Sequence, residues 1–300
     1  MGSFIRLSGI MAVAGALAGT ALMAAPAAQA TTSPPGTIMV PCAPNALAAA
    51  ITTANLSLTT TTLVLPWNCT YNITTPATVS DGLPVITGHI NLMGANTVIR
   101  RTPLTIAAFR ILDVAVGGSL SLTNISVQNG STTGLGGGIQ NAGTLQLSQV
   151  TLSGNTAGNG GGLANAAAAT ANIFNTVFDG NTTTGVGGGG IINSGTLTMA
   201  GSTLSGNHAP INGGGLNTQS SGISQIRLSN FLRNVSGGLG GGISNLGTTT
   251  LQDTRVQLNT GSSGGGIATG NANLTLRRST VTNNSPDNCN PLNTVPGCVN

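Results

Sequence analysis

Through the middle of the chain, apolar and polar residues alternate in short runs such as Leu145-Gln146-Leu147. A period of two marks a strand with one buried face, and the Gly, Thr and Asn residues between runs mark turns. The runs close on asparagines. Six of these, Asn155, Asn181, Asn207, Asn234, Asn259 and Asn284, follow one another at intervals of 26, 26, 27, 25 and 25 residues. Three residues before each stands an apolar side chain: Leu152, Phe178, Leu204, Phe231, Val256 and Val281. Eight before stands another: Leu147, Ile173, Met199, Ile226, Leu251 and Leu276. Glycine clusters begin at 136, 160, 188, 213, 240 and 264. The clusters at 136, 188 and 240 are 52 residues apart, as are the Gly-Thr pairs at 143, 195 and 247, so two alternating turns make a 52-residue double repeat.

A repeat of this length holds only short strands and cannot bury its own apolar face, so neighbouring repeats must stack. Helical spacing is absent, and the helix segment and longer Leu-Asn pattern of leucine-rich repeats are missing. The pattern therefore predicts an all-β chain wound as a parallel β-helix of about ten coils, with its repeats over residues 81–286. Strands pairing in parallel above and below satisfy the backbone along the axis. Glycines suit corners that need a positive φ or close backbone approach. The six asparagines fall in one column, where side-chain amides can hydrogen-bond from rung to rung. Ten rungs at the usual strand spacing would span on the order of 50 Å.

A coil needs closed ends. Residues 42–80 are expected to form the N-terminal cap, with Asn45 capping a helix whose Leu47, Ala50, Ile51 and Ala54 share one face. Residues 287–300 form a Pro-containing C-terminal cap that cannot extend the ladder. Ahead of these, Arg6, the apolar stretch from Ile10 to Met23 and Ala28-Gln29-Ala30 read as a signal peptide over residues 1–30. A flexible mature N-terminus, 31–41, follows. The rival reading of the apolar stretch is an uncleaved anchor; no second run of spanning length appears downstream. The four cysteines form two sequence-local pairs, Cys42 with Cys69 and Cys289 with Cys298, and export favours disulfides within each pair. Zinc is the alternative, but His89 and His208 lie far from both pairs.

Composition narrows the functional classes. Charged residues make up 5% of the chain, with nine Arg, no Lys and five Asp, against 46 Gly and a 39% apolar share sufficient for a core. The net charge of +4 is dispersed, with no basic run interleaved with aromatics, so nucleic-acid binding is excluded as a reading. Trp67 and Tyr71 flank Cys69 and are expected to pack the cap. The Thr runs at 59–62, 182–184 and 248–250 are not spaced as one face, which argues against ice binding. GVGGGG at 185–190 matches the dinucleotide fingerprint in form only, since no βαβ unit surrounds it.

The GGGI clusters, with Phe178-Asp179-Gly180-Asn181 and Phe231-Leu232-Arg233-Asn234 as Phe-x-x-Asn strand ends, resemble the repeats of the chlamydial polymorphic outer membrane proteins. They also resemble related secreted bacterial proteins with a right-handed, pectin-lyase-like β-helix. Leu47, Ala50, Ile51, Ala54 and Asn55 are similar to that family's helical head, although Cys42 lies five residues before Leu47 and not two. The resemblance covers residues 42–298. It implies a right-handed coil and a secreted surface or adhesive role.

Enzymes on such coils cleave polysaccharides, either with two carboxylates in one groove or with carboxylate-bound calcium. The acids here are Asp81, Asp113, Asp179, Asp253 and Asp287. Asp179 and Asp253 occupy different columns; Asp253 shares one with Arg278, which points to an ion pair. Arg110 and Asp113, three apart, are expected on opposite sides of a strand. Only Asp81 and Asp113, with Arg100, Arg101 and Arg110, remain as a catalytic candidate. No cofactor or metal is expected. The sequence favours a monomeric structural or adhesive protein offering a repetitive polar face to polysaccharide or cell-surface glycan, with a polysaccharide lyase or glycoside hydrolase as the alternative.

Overall fold

The computed structural model describes residue 2 and residues 36–270, 273–291 and 295–299. The signal peptide expected over 1–30 lies outside the described residues, apart from residue 2. The described chain from residue 36 is a parallel β-solenoid of about ten turns with a single short helix near its start.

One turn shows how the repeat folds. Ile139–Asn141 lies in an eight-stranded sheet. The chain then enters a long sheet as two arms, Thr144–Ser148 and Thr151–Ser153, and Thr156–Ala157 adds a strand to a four-stranded sheet. Glycines 160–162 return it to Leu163–Asn165, directly beside Ile139–Asn141. Every pairing is parallel and in step with the repeat: Leu147 lies beside Ile173, Ile173 beside Met199 and Met199 beside Ile226. The two apolar columns point inward. Leu152, Phe178, Leu204, Phe231 and Val256 are wholly buried, as are Leu147, Ile173, Met199, Ile226 and Leu251. Burial relaxes only in the last coil, where Leu276 is partly covered.

Three corners in each turn use left-handed backbone. One column comprises the first glycines of the clusters, from Gly136 (φ 64°) to Gly264 (φ 60°). A second precedes the asparagine column and runs from Gly154 to Arg233, Leu258 and Asn283. A third sits at the bend between the two arms and runs through Asn68, Asn96, Asn124, Gln149, Asn175, Gly201, Leu228, Asp253 and Arg278, each with φ between 47° and 62°. Asn and Gly tolerate this region best, which accounts for the composition of the third column's first half. The later glycines of each cluster are small for another reason. A Cβ on Gly214 would lie 2.5 Å from the carbonyl oxygens of Gly241 and Val235.

The ends are closed by different devices. Pro44–Asn55 is the helix, with Pro44 in the first turn, where its missing N–H costs nothing. Ala43 occupies the N-cap and makes no side-chain cap bond, so Asn45 lies inside the helix and is not its cap. The predicted face of Leu47, Ala50, Ile51 and Ala54 is buried on the open end of the core. Asn55 anchors the helix: its Nδ2 donates to Val85 O at 2.7 Å, and its Oδ1 accepts from Thr87 N and Gly88 N. Disulfides join Cys42 to Cys69 and Cys289 to Cys298. Within the segment 42–80, Thr61–Val64 and Thr70–Ile73 already belong to the long sheet, preceded by Thr37–Met39.

Candidate functional site

The interior polar groups hold the surface in place. In the main asparagine column, Asn155 Nδ2 donates to Asn181 Oδ1 at 3.0 Å, and Asn181 to Asn207, Asn207 to Asn234, Asn234 to Asn259 and Asn259 to Asn284 follow at 2.9–3.0 Å. Each Oδ1 also accepts the backbone N–H of the preceding asparagine, and each Nδ2 also donates to a carbonyl one coil back, as Asn207 does to Phe178 O at 3.0 Å. The column starts at Gly130 N, which donates to Asn155 Oδ1, and ends on Asn288 Oδ1. Amides therefore saturate one another in a buried row, as buried polar groups must.

Two further rows escape the sequence reading. Asn141 donates to Asn165 and Asn165 to Asn193, each at 2.8 Å; the row continues through Ser224, Thr218, Thr249 and Asn245. At the bend between the arms, Thr176, Ser202, Ser229, Thr254 and Ser279 form a hydroxyl row. Ser202 Oγ, for example, accepts from Thr176 N and donates to Ala200 O. The signal was present five residues before each column asparagine, but it mixes Ser with Thr and begins with Val150.

On the outside, the bend column carries a different chemistry. Asn96 Nδ2 donates to Asn68 Oδ1 at 2.5 Å, while the exposed side chains of Asn124, Gln149 and Asn175 have no hydrogen-bond partner among the described residues. Beside them stands Trp67, the single tryptophan of the chain, 73% exposed. The expectation that Trp67 packs the cap fails: its short connection between Thr61–Val64 and Thr70–Ile73 carries it to the outer surface. Tyr71, one strand position inside, is fully buried; its hydroxyl reaches Val40 O at 3.4 Å, and burial pushes its pKa up to about 12. Trp67, Asn96, Asn124, Gln149, Ser126 and Thr151 line a shallow groove of about 440 Å³. Coils spaced ~4.8 Å apart present an amide at each step along it.

Of the catalytic candidates, the fold gathers three and separates two. Arg110 bridges Asp81 (Nε to Oδ1, 3.1 Å) and Asp113 (Nη1 to Oδ2, 3.2 Å), and Nη1 also donates to Gln140 Oε1. The Asp81 contact is an ion pair without hydrogen-bond alignment. Arg110 and Asp113 meet, contrary to the strand-alternation argument, because Arg110 precedes the strand Leu112–Val114 and pairs with Asp81 instead. Arg100 is spent on Asn72 Oδ1 at 2.7 Å, and Arg101 on the carbonyls of Asn129 and Thr105. Asp81 also accepts from Thr78 Oγ1 (2.6 Å) and Ser80 Oγ. Burial raises the pKa of Asp113, opposed by the charge of Arg110. Three charged groups lock the 74–88 loop to the coil, with Asp81 Oδ2 accepting twice and Oδ1 held by the ion pair alone.

The remaining acids are also engaged. Arg278 clamps Asp253 with Nε at 2.7 Å and Nη2 at 2.9 Å, which holds that carboxyl below its ordinary pKa. Asp179 accepts from Ser205 Oγ at 2.6 Å, and Asp287 from Gly265 N at 3.1 Å. Among the described residues no three His, Cys, Asp or Glu side chains gather as they would around a metal ion. No helix among them is long and apolar enough to cross a membrane. Single threonines missed in the sequence, Thr144, Thr170 and Thr196, stack in one outer column that Ile223 interrupts before Thr248.

Compared with known protein families and with curated proteins, the chain matches none. The likeness to the chlamydial repeats therefore rests on the repeat motifs themselves, and the class that the fold defines is the parallel β-solenoid.

Proposed function

We propose that the chain is a secreted structural or adhesive surface protein that binds polysaccharide or cell-surface glycan on the outer face of its long sheet. The observation that carries this reading is the groove of Trp67 and the free amides of the bend column. An indole left three-quarters exposed forfeits the apolar burial that tryptophan ordinarily supplies, and a ligand restores it. The C–H face of a pyranose ring covers such an indole, while amides, each both donor and acceptor, pair with its hydroxyls. A coil that repeats every ~4.8 Å supplies these groups in a row suited to a repeating polymer. The disulfides agree with an oxidising, extracytoplasmic compartment.

The alternative, polysaccharide cleavage at Asp81 and Asp113, has less support. Both acids are held by one arginine, and Asp81 already accepts from Thr78 and Ser80. Retention on immobilised polysaccharides tests the binding reading. Trp67→Ala is expected to lose retention by roughly tenfold or more, since removing a stacked aromatic costs at least 1–2 kcal/mol, while Asp113→Asn leaves it intact. Equal retention of Trp67→Ala and the unaltered chain would remove the groove from the account.

A further inference from the structure

The bend column does not end at the amides. Further along the axis, the same outer face of the long sheet changes character. Between residues 227 and 278 the chain carries five arginines and one aspartate, a net charge of +4, equal to the formal net charge of the whole molecule. Arg278 is neutralised by Asp253, but Arg227, Arg233, Arg255 and Arg277 are exposed and no carboxylate among the described residues lies within salt-bridge distance of them.

Register fixes their arrangement. Arg227, Gln252 and Arg277 are consecutive members of one column, so two coils, about 9.6 Å at the usual strand spacing, separate the two guanidinium stems. Arg255 stands on the intervening coil in the other arm, between Asn230 and Thr280. It lines a second depression, of about 190 Å³, with Asn230, Leu232 and Gln257. Ser126 and Thr151, which line the Trp67 groove, occupy the same outward column as Asn230 and Arg255, with Val177 and Thr203 between. One ligand laid along the axis meets both depressions.

We infer that the glycan this face takes is an acidic polysaccharide, its anionic groups held by Arg227, Arg255 and Arg277. The inference rests on the glycan-binding reading above and adds the charge of the ligand. Guanidinium forks match carboxylate, sulfate and phosphate groups bidentately. The arginines' neighbours along their columns, Gln252, Asn230 and Thr280, are amides and hydroxyls, which read sugar hydroxyls. Single-stranded nucleic acid binds on a run of aromatics set among the cations; the exposed aromatics of this face among the described residues are Trp67 and Phe174, and the nearer, Phe174, lies two coils from Arg227. A lipid headgroup layer calls for a continuous aromatic or apolar belt around the cations; here the exposed Leu228 and Leu258 stand singly among amides and hydroxyls.

The test measures binding of the full chain to alginate, to dextran sulfate, to uncharged dextran, to anionic phospholipid vesicles and to single-stranded DNA. Alginate or dextran sulfate is expected to bind more tightly than uncharged dextran, and to weaken as salt rises from about 50 mM to about 500 mM through screening. Arg227→Gln/Arg255→Gln/Arg277→Gln, all exposed positions, is expected to weaken acidic-polymer binding roughly tenfold or more while leaving dextran binding unchanged. A triple variant that binds acidic polymers as tightly as the unaltered chain overturns the inference, as does vesicle or DNA binding equal to that of alginate. Binding of dextran alone, lost in Trp67→Ala, overturns the inference and leaves the glycan-binding reading standing. Binding of no polysaccharide at all overturns both.

Discussion

A residue such as Asn207 shows how the interior works. Its Nδ2 donates to Phe178 O and Asn234 Oδ1, and its Oδ1 accepts both the backbone and the side-chain N–H of Asn181. Asn207→Ala removes four hydrogen bonds at once and takes a buried partner from Phe178, Asn181 and Asn234, a lost partner costing about 1–3 kcal/mol where no second bond remains, partly relieved by relaxation. The expected loss is about 3–5 kcal/mol in urea unfolding. Asn230→Ala, at an exposed strand position without left-handed backbone, should cost less than about 1 kcal/mol. Equal costs would mean that the buried amide row contributes nothing beyond surface polarity. The row was legible in the sequence because asparagine recurs there without exception. The row of Asn141, Asn165 and Asn193 was not, because Thr218 and Thr269 replace asparagine at the paired strand positions. Hydroxyl and amide can occupy the same buried position, so residue identity alone hides the row.

At the scale of the element, each turn depends on two kinds of glycine that look alike in sequence. Gly180 holds a positive φ of 59° with nothing within 4 Å of where a Cβ would stand. Gly214 has an unremarkable φ and no room at all. Gly180→Ala is therefore expected to cost about 1–2 kcal/mol, the left-handed penalty alone. Gly214→Ala should cost about 3 kcal/mol or more, because the stacked backbones must move apart. Thermal unfolding of the two variants compares them; the reverse order would contradict the packing described. The apolar columns and the coil itself were readable from the period of about 26, since period-two strands that recur at that spacing have no other way to bury their faces. The first coils were harder. Asn68, Asn96 and Asn124 recur at 28 residues, then Gln149 follows at 25, so the amide column of the groove slips out of the register that the later asparagines set. The Asp81–Arg110–Asp113 cluster was half legible: three members meet, but strand alternation gave the wrong answer for Arg110, which lies outside the strand it was assigned to.

At the largest scale, the described chain is a coil whose buried asparagine column bonds to itself from rung to rung and whose exterior presents a row of unspent amides. Its only tryptophan lies on that exterior, in the proposed binding groove, which makes the central claim directly measurable. Intrinsic fluorescence of the full chain would be titrated with soluble polysaccharides, with released oligosaccharide assayed in the same samples. The account predicts a saturable shift of Trp67 emission with one class of polymer, strongest for acidic chains, and no release of product. Retention of a polymer without any change in Trp67 emission would place binding elsewhere, and release of oligosaccharide abolished by Asp113→Ala would make the protein an enzyme.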